Sequence, residues 1–209
     1  SSVVRIMFRT GPLAVRFCHS LSAEGLPAIC IDARHAKAAL DMAANKTDAN
    51  DADGLAHLAE VGFFREVRVK GYDSMLTRTL VAARNRLVRI TTELSNQIRG
   101  LMKTFGLIVP PSKGGKFEAH VRRLLVGQDA LARIVLPVLQ AWRSVRVDAA
   151  ELGRQLIAGA RQSQACRQLM SIPGVGAITA SAFTTAIEDP ANFRKSRSVG
   201  AWLGLTTRR

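Results

Sequence analysis

Lys46-Thr47-Asp48-Ala49-Asn50-Asp51-Ala52-Asp53 lies between an apolar run, Ala28-Ile29-Cys30-Ile31, and a periodic stretch carrying Leu55, Leu58 and Ala59 that Gly62 ends. A helix opening near Thr47 puts Asp48 and Asp51, three apart, on one face of its first turn. Two carboxylates that close repel each other, and a hard cation such as Mg²⁺, which prefers carboxylate and phosphate oxygen, would relieve them. The same residues also suit a helix N-terminus, with Asp48 accepting from a backbone N–H two or three residues on and Asp51 in the positive first turn. Taken alone, the motif supports metal binding and capping alike.

Upstream, Val3 to Phe8 predicts a short strand stopped by Thr10-Gly11-Pro12. A helix follows from Pro12, which suits a first turn, through Leu13, Val15, Phe17 and Leu21 to Gly25. Leu26 to Asp32 predicts a second strand whose unbroken apolar run implies burial on both faces. Ala33 to Ala44 is Ala-rich and helical. Strand, helix, strand, helix is the order of a parallel α/β sheet, with the acidic motif near one edge. Beyond Gly62, Arg65 to Lys70 alternates Val67 and Val69 with charged neighbours and predicts one more short strand.

From about Tyr72 the pattern changes. Leu76, Leu80, Ala83, Leu87, Ile90, Leu94, Ile98, Leu101 and Phe105 recur every three or four residues, as in a long amphipathic helix of near-heptad spacing. Arg78, Arg86, Arg89 and Arg99 fall off that stripe, solvated or facing phosphate. Gly106 and Pro110-Pro111-Ser112-Lys113-Gly114-Gly115-Lys116 predict a basic, flexible loop. A second stripe then runs Leu131, Val135, Val138, Trp142, Val145, Ala149, Leu152, Leu156 and Gly159, with Pro137 a potential kink. Two such helices form an antiparallel coiled-coil hairpin or the seam of a dimer, and plain core packing would give the same stripes. Ser171-Ile172-Pro173-Gly174-Val175-Gly176 and the apolar run Ala177 to Ile187 have the form of a helix-hairpin-helix, or of an ordinary turn between helices. In the first form the glycines let the backbone approach a phosphate, and N–H groups opening the second helix bind it.

Composition narrows the classes. The 209 residues are 47% hydrophobic and 22% charged, a globular balance. No apolar run nears the roughly 20 residues that span a bilayer, and no secretory leader is visible. Cys18, Cys30 and Cys166 have no metal-ligand spacing and suit buried thiols in a reducing cytoplasm, and the four histidines are scattered. The net charge is +14 and lopsided: residues 1–64 hold six Lys/Arg and seven Asp/Glu, whereas residues 65–209 hold 24 and nine. An excess of +15 over the second stretch is the footprint of a nucleic-acid partner. Arg194, Lys195 and Arg197, with Arg208 and Arg209, place basic charge after the Gly174–Gly176 turn and favour contact with a DNA backbone.

In this order the segments resemble the DEDD transposases of the bacterial insertion-sequence "one-ten" family. Arg9-Thr10-Gly11-Pro12-Leu13 matches the stretch where that family has Glu-Thr/Ser-Gly-Pro-Leu, and Ile31 to Leu40 resembles its next block. Lys46-Thr47-Asp48 with Asp51-Ala52 matches its Lys-Thr-Asp-x-x-Asp-Ala signature. Ile172 to Gly176 and Val199 to Thr206 match its C-terminal transposase domain. The resemblance implies α/β plus all-α architecture: a partial RuvC-like, ribonuclease-H-type domain (1–70), a long helical coiled-coil arm (71–165) and a partial helical C-terminal domain (166–209). It also implies Mg²⁺ held by four acidic residues, of which Asp48 and Asp51 are the third and fourth, a serine nucleophile acting on DNA, a structured guide RNA and a homo-oligomer. It places the chain in the bacterial cytoplasm at the nucleoid, with no membrane partner. Three departures follow from the same comparison. The first acidic residue belongs before Ser1, the serine belongs beyond Arg209, and Arg9 stands where the family has Glu. The expectation is a transposase remnant, truncated at both ends, that cannot cut DNA. Two alternatives stay open: a non-catalytic nucleic-acid-binding module, and a coiled-coil interaction protein that pairs with an intact transposase.

Overall fold

A computed structural model describes residues 4–40, 47–193 and 195–203. The chain divides into two compact units, Ser1–Gly71 and Tyr72–Arg209.

In the first unit, β1 (Ile6–Arg9) and β2 (Ala28–Ile31) pair in parallel, Ile6 opposite Ala28 and Arg9 opposite Ile31. Helix α1 (Ala14–Ala23) makes the crossover that parallel pairing requires. It starts two residues after Pro12 and ends at a turn in which Gly25 takes φ +72°. Side chains alternate along β1, so Phe8 reaches one face and Arg5 and Arg9 the other. Phe8 meets Phe17 of α1 edge-on, ring centroids 5.4 Å apart. Cys30 and Ile31, consecutive on β2 and so on opposite faces, are both buried, as the apolar run predicts. Burial, with Cys18 and Glu66 near by, raises the Cys30 thiol's pKa. Cys18 itself is only partly buried, which corrects the expectation of three buried thiols.

The predicted strand Arg65–Lys70 is reduced to a single antiparallel bridge, Ile31 to Glu66, with Val67 N–H donating to the Cys30 carbonyl at 2.7 Å. Charged residues at alternate positions leave it little apolar area to bury. Helix α2 (Ala33–Leu40) follows β2 directly, and the rest of the helix predicted to Ala44 lies outside the described residues.

Helix α3 (Asp48–Val61) ends at Gly62, whose φ of +69° is the left-handed conformation that glycine adopts freely. Its start corrects the capping expectation. The cap is Thr47, whose hydroxyl accepts from the Asn50 N–H at 3.2 Å, so Asp48 is the first residue inside the helix.

The second unit is helical: α4 (Tyr72–Thr104), α5 (Gly114–Leu124), α6 (Asp129–Gln162), α7 (Gln164–Met170), α8 (Ala177–Ile187), a 3-10 turn (Pro190–Asn192) and α9 (Ser196–Trp202). Helices α4 and α6 pack antiparallel, Ile98 and Met102 sharing a core with Leu131, Val135, Leu139 and Trp142. Every predicted stripe position of α6 is buried or half-buried except Gly159, and Pro137 lies within the helix without ending it. On α4 the stripe drifts: Leu76 and Phe105 are exposed, and Met102, off the stripe, is fully buried.

The loop expected over Pro110–Lys116 is half a loop, because Gly114, Gly115 and Lys116 open α5. Phe117, Val121 and Leu125 recur every four residues and are all buried, so α5 wedges into the closed end of the hairpin, where the chain passes from α4 to α6. At the other end Ser163 closes α6 and caps α7 by accepting from the Cys166 N–H, while Ala160, Cys166 and Ala180 form a second small core. Among the described residues no helix is long and apolar enough to cross a membrane.

Two substitutions probe this packing. Leu139→Ala, at a fully buried position, should cost about 2–5 kcal/mol in urea unfolding followed by circular dichroism. Ile134→Ala, on the exposed face of the same helix, should stay within about 0.5 kcal/mol. In the first unit Thr47→Ala removes the α3 cap and should cost about 0.5–2 kcal/mol by the same measurement.

Candidate acidic centre and nucleic-acid interface

The two ends of α3 are tied to the two ends of β1. At one end Arg9 Nη2 meets Asp51 Oδ2 at 3.0 Å, and at the other Arg5 Nη1 donates to the Ala59 carbonyl at 3.2 Å. Eight residues of helix rise about 12 Å and four residues of strand about 13 Å, so the two contacts match only when α3 runs antiparallel to β1. This places the N-terminal turn of α3, with both aspartates, against the C-terminal end of β1. In parallel sheets that is the end where sites are built. Thr10 holds the strand ends together: its N–H donates to the Ile31 carbonyl at 2.9 Å and its hydroxyl accepts from the Ala33 N–H at 3.0 Å. Asp32, just past β2, accepts from the Arg34 N–H at 2.7 Å.

Of the predicted site residues, Arg9 and Asp51 therefore meet, and Asp48 lies exposed one turn before Asp51 on the same helix. Lys46 lies outside the described residues. Among those residues no three His, Cys, Asp or Glu side chains come together as a metal would need. The described donor set does not fit Mg²⁺, because Asp51 carries the Arg9 guanidinium and no three acidic side chains gather beside it. With a metal–carboxylate bond near 2.1 Å, that guanidinium would stand about 5 Å from a dication. The repulsion is roughly 2–7 kcal/mol between the dielectric of water and an effective protein value of 20. The pair itself is worth only about 0–1 kcal/mol, since its side chains are 39% and 21% exposed.

The residues predicted to touch nucleic acid lie in the second unit. The turn between α7 and α8 is tightened by Val175 N–H donating to the Ile172 carbonyl at 3.1 Å, with Gly174 at φ +86°. Gly176 is the N-cap of α8 and no side chain accepts from its first turn. Ile172, Gly174 and Gly176 are exposed. Lys195 is the N-cap of α9 and Arg197 its second residue, both exposed, while Arg194 lies outside the described residues. Thr10, which ties the strand ends, was legible only as part of the Arg9–Leu13 motif; nothing local marked its hydroxyl for that role.

Comparison with known proteins covers both units. The DEDD transposase model of the IS110 family matches residues 2–106, and the model described as Transposase IS116/IS110/IS902 family matches residues 166–209. The transposase for insertion sequence element IS1111A of Coxiella burnetii is 31% identical over 88% of this chain and 51% of its own length. A Pseudomonas aeruginosa protein named "Probable family 20 transposase" is 30% identical over 78% of this chain and 50% of its own. The transposase for insertion sequence element IS1328 of Yersinia enterocolitica is 26% identical over 78% and 49%. The chain spans about half the length of the curated relatives it matches. With one family model covering half of it and the second matching its C-terminal segment, the chain belongs to the IS110/IS116/IS902 family of insertion-sequence transposases.

Proposed function

We propose that this chain is a DNA-binding segment of an insertion-sequence transposase whose acidic centre is locked by the Arg9–Asp51 ion pair. That pair is the observation that carries the proposal: it puts a permanent positive charge on the fourth acidic position of the family's signature. Residues 1–70 act as the RuvC-like part, 71–165 as the arm and 166–209 as the C-terminal part. Mg²⁺ is the metal that Asp48 and Asp51 would have served, and strand cutting by this segment is not expected. Binding is a separate property. The Gly174–Gly176 turn, with the open first-turn amides of α8, takes a DNA backbone phosphate as a helix-hairpin-helix does, and Lys195 and Arg197 add charge to the same task. The stripes of α4 and α6 join the two helices into an antiparallel coiled-coil arm, and association with a second copy would use faces of the arm outside those stripes. A structured RNA is a further polyanion that the basic unit would hold, and both would be met in the bacterial cytoplasm.

Calorimetric titration with Mg²⁺ tests the locked centre. The chain as it stands should give no binding heat at millimolar Mg²⁺, whereas Arg9→Glu should bind and gain thermal stability as the metal is added. Equal binding by both would sink the ion-pair argument. DNA affinity should fall steeply between low and physiological salt, because phosphate contacts release counterions. A flat salt response would remove the DNA-binding reading.

A further inference from the structure

A second cationic constellation lies at the α5 end of the helical hairpin, among residues given no role above. Helix α4, the loop before α5, and α6 line an open cavity of about 780 Å³. Arg99 from α4, Lys113 from the loop and Arg146 from α6 line it, and no carboxylate does. A cavity of this size class holds ligands larger than a single phosphate.

Two of these cations are held by rings, not by counter-ions. The Arg99 guanidinium lies 4.6 Å over the Phe117 ring and that of Arg146 lies 5.2 Å over Trp142. The two rings pack on each other with centroids 4.9 Å apart, so the four residues form one continuous series of contacts. Arg99 also donates to the Ser95 carbonyl at 3.4 Å and the Ser112 carbonyl at 3.1 Å. Arg146 makes no hydrogen bond among the described residues, and its Nε is shut off from solvent without an acceptor. Buried donors are seldom left in that state. A Cβ built on Gly114 would stand 3.7 Å from Arg146 Nη1, so the guanidinium lies beside the opening residue of α5. No side chain caps that helix, and its positive end adds to the two guanidiniums and the ammonium. No carboxylate among the lining residues balances this positive charge.

We propose that this cavity is a phosphate site for the backbone of a nucleic acid. The inference deepens the DNA-binding reading and rests on it for the nature of the ligand. Two observations favour a backbone over a free nucleotide. Phe117 and Trp142 are buried, with guanidiniums on their faces, so no base can stack on them. Residues 72–209 carry 21 Lys/Arg and eight Asp/Glu, a +13 excess that draws a polyanion.

The test uses the full chain with Trp202→Phe, which leaves Trp142 as the one tryptophan. Inorganic pyrophosphate is titrated against Trp142 fluorescence, then a labelled DNA duplex against anisotropy at several salt concentrations. Pyrophosphate should change the Trp142 emission and the duplex should compete with it. Lys113→Glu and Arg146→Ala should each weaken duplex binding severalfold and reduce the salt slope by about one unit. Lys113 is exposed, so Lys113→Glu decides the matter even where Arg146→Ala, which strips the face of Trp142, fails to fold. Pyrophosphate that the duplex cannot displace would assign the cavity to a free phosphate and overturn the proposal. Unchanged duplex affinity in folded Lys113→Glu would also overturn it while leaving the DNA-binding reading intact. A parent chain that binds no duplex at all would overturn both.

Discussion

Two antiparallel helices of 33 and 34 residues can slip past each other by a turn, since each turn presents much the same apolar stripe to its neighbour. In this chain the wedge of α5 removes that freedom. Phe117 fits against Trp142 on α6 and beneath Arg99 on α4, so one ring touches both long helices at once. Val121 and Leu125 extend the same contact into the core of Ile98, Met102, Leu131 and Val135. Sliding either helix by one turn would pull these side chains out of a core packed at crystal-like density, where a lost methylene is already felt. The cationic cavity depends on that register, because Arg99 and Arg146 converge only while their rings stay in contact.

What could be read from the sequence follows from how local the cause is. The α6 stripe was legible because its steps of three and four are set by helical geometry, and α6 faces one partner for most of its length. The α4 stripe misleads at its ends, where Leu76 and Phe105 stay largely exposed and Met102 joins the core shared with Phe117 and Val121. Helix α5 was hidden by its opening pair of glycines, which signal a loop, although the spacing of Phe117, Val121 and Leu125 already had a helical period. In the sequence Thr47 and Asp48 compete as the cap, because either side chain can accept from the first turn. The choice depends on which residue takes the extended conformation, and Thr47 does, at φ −129° and ψ 156°. Arg9 was recognised as a departure, but its pairing with Asp51, 42 residues away, depends on how α3 lies along β1.

The Arg9–Asp51 contact joins the end of β1 to the start of α3. A carboxylate at position 9 would need a cation to live beside Asp51. An arginine supplies that cation covalently, so the strand end and the helix start stay joined without any ion from solution. Arg5 does the same service at the far end of the strand by holding the Ala59 carbonyl. The acidic turn is thus integrated into the α/β unit as structure.

The wedge also sets the order in which the hairpin can close. Met102 and Leu131, which share the core beside α5, are 29 residues apart in the chain, whereas Thr77 and Gly159, which line one cavity at the far end, are 82 apart. Closing the longer loop first costs about 0.9 kcal/mol more chain entropy than closing the shorter one, and α5 already fills part of the short loop with helix. Assembly is therefore favoured from the tip inward, each turn of α4 meeting α6 after the turn before it has docked. The segment that opens the C-terminal part, from Ser163 onward, would be the last to find its place, which gives this hairpin the kinetics of a zipper pulled from its closed end.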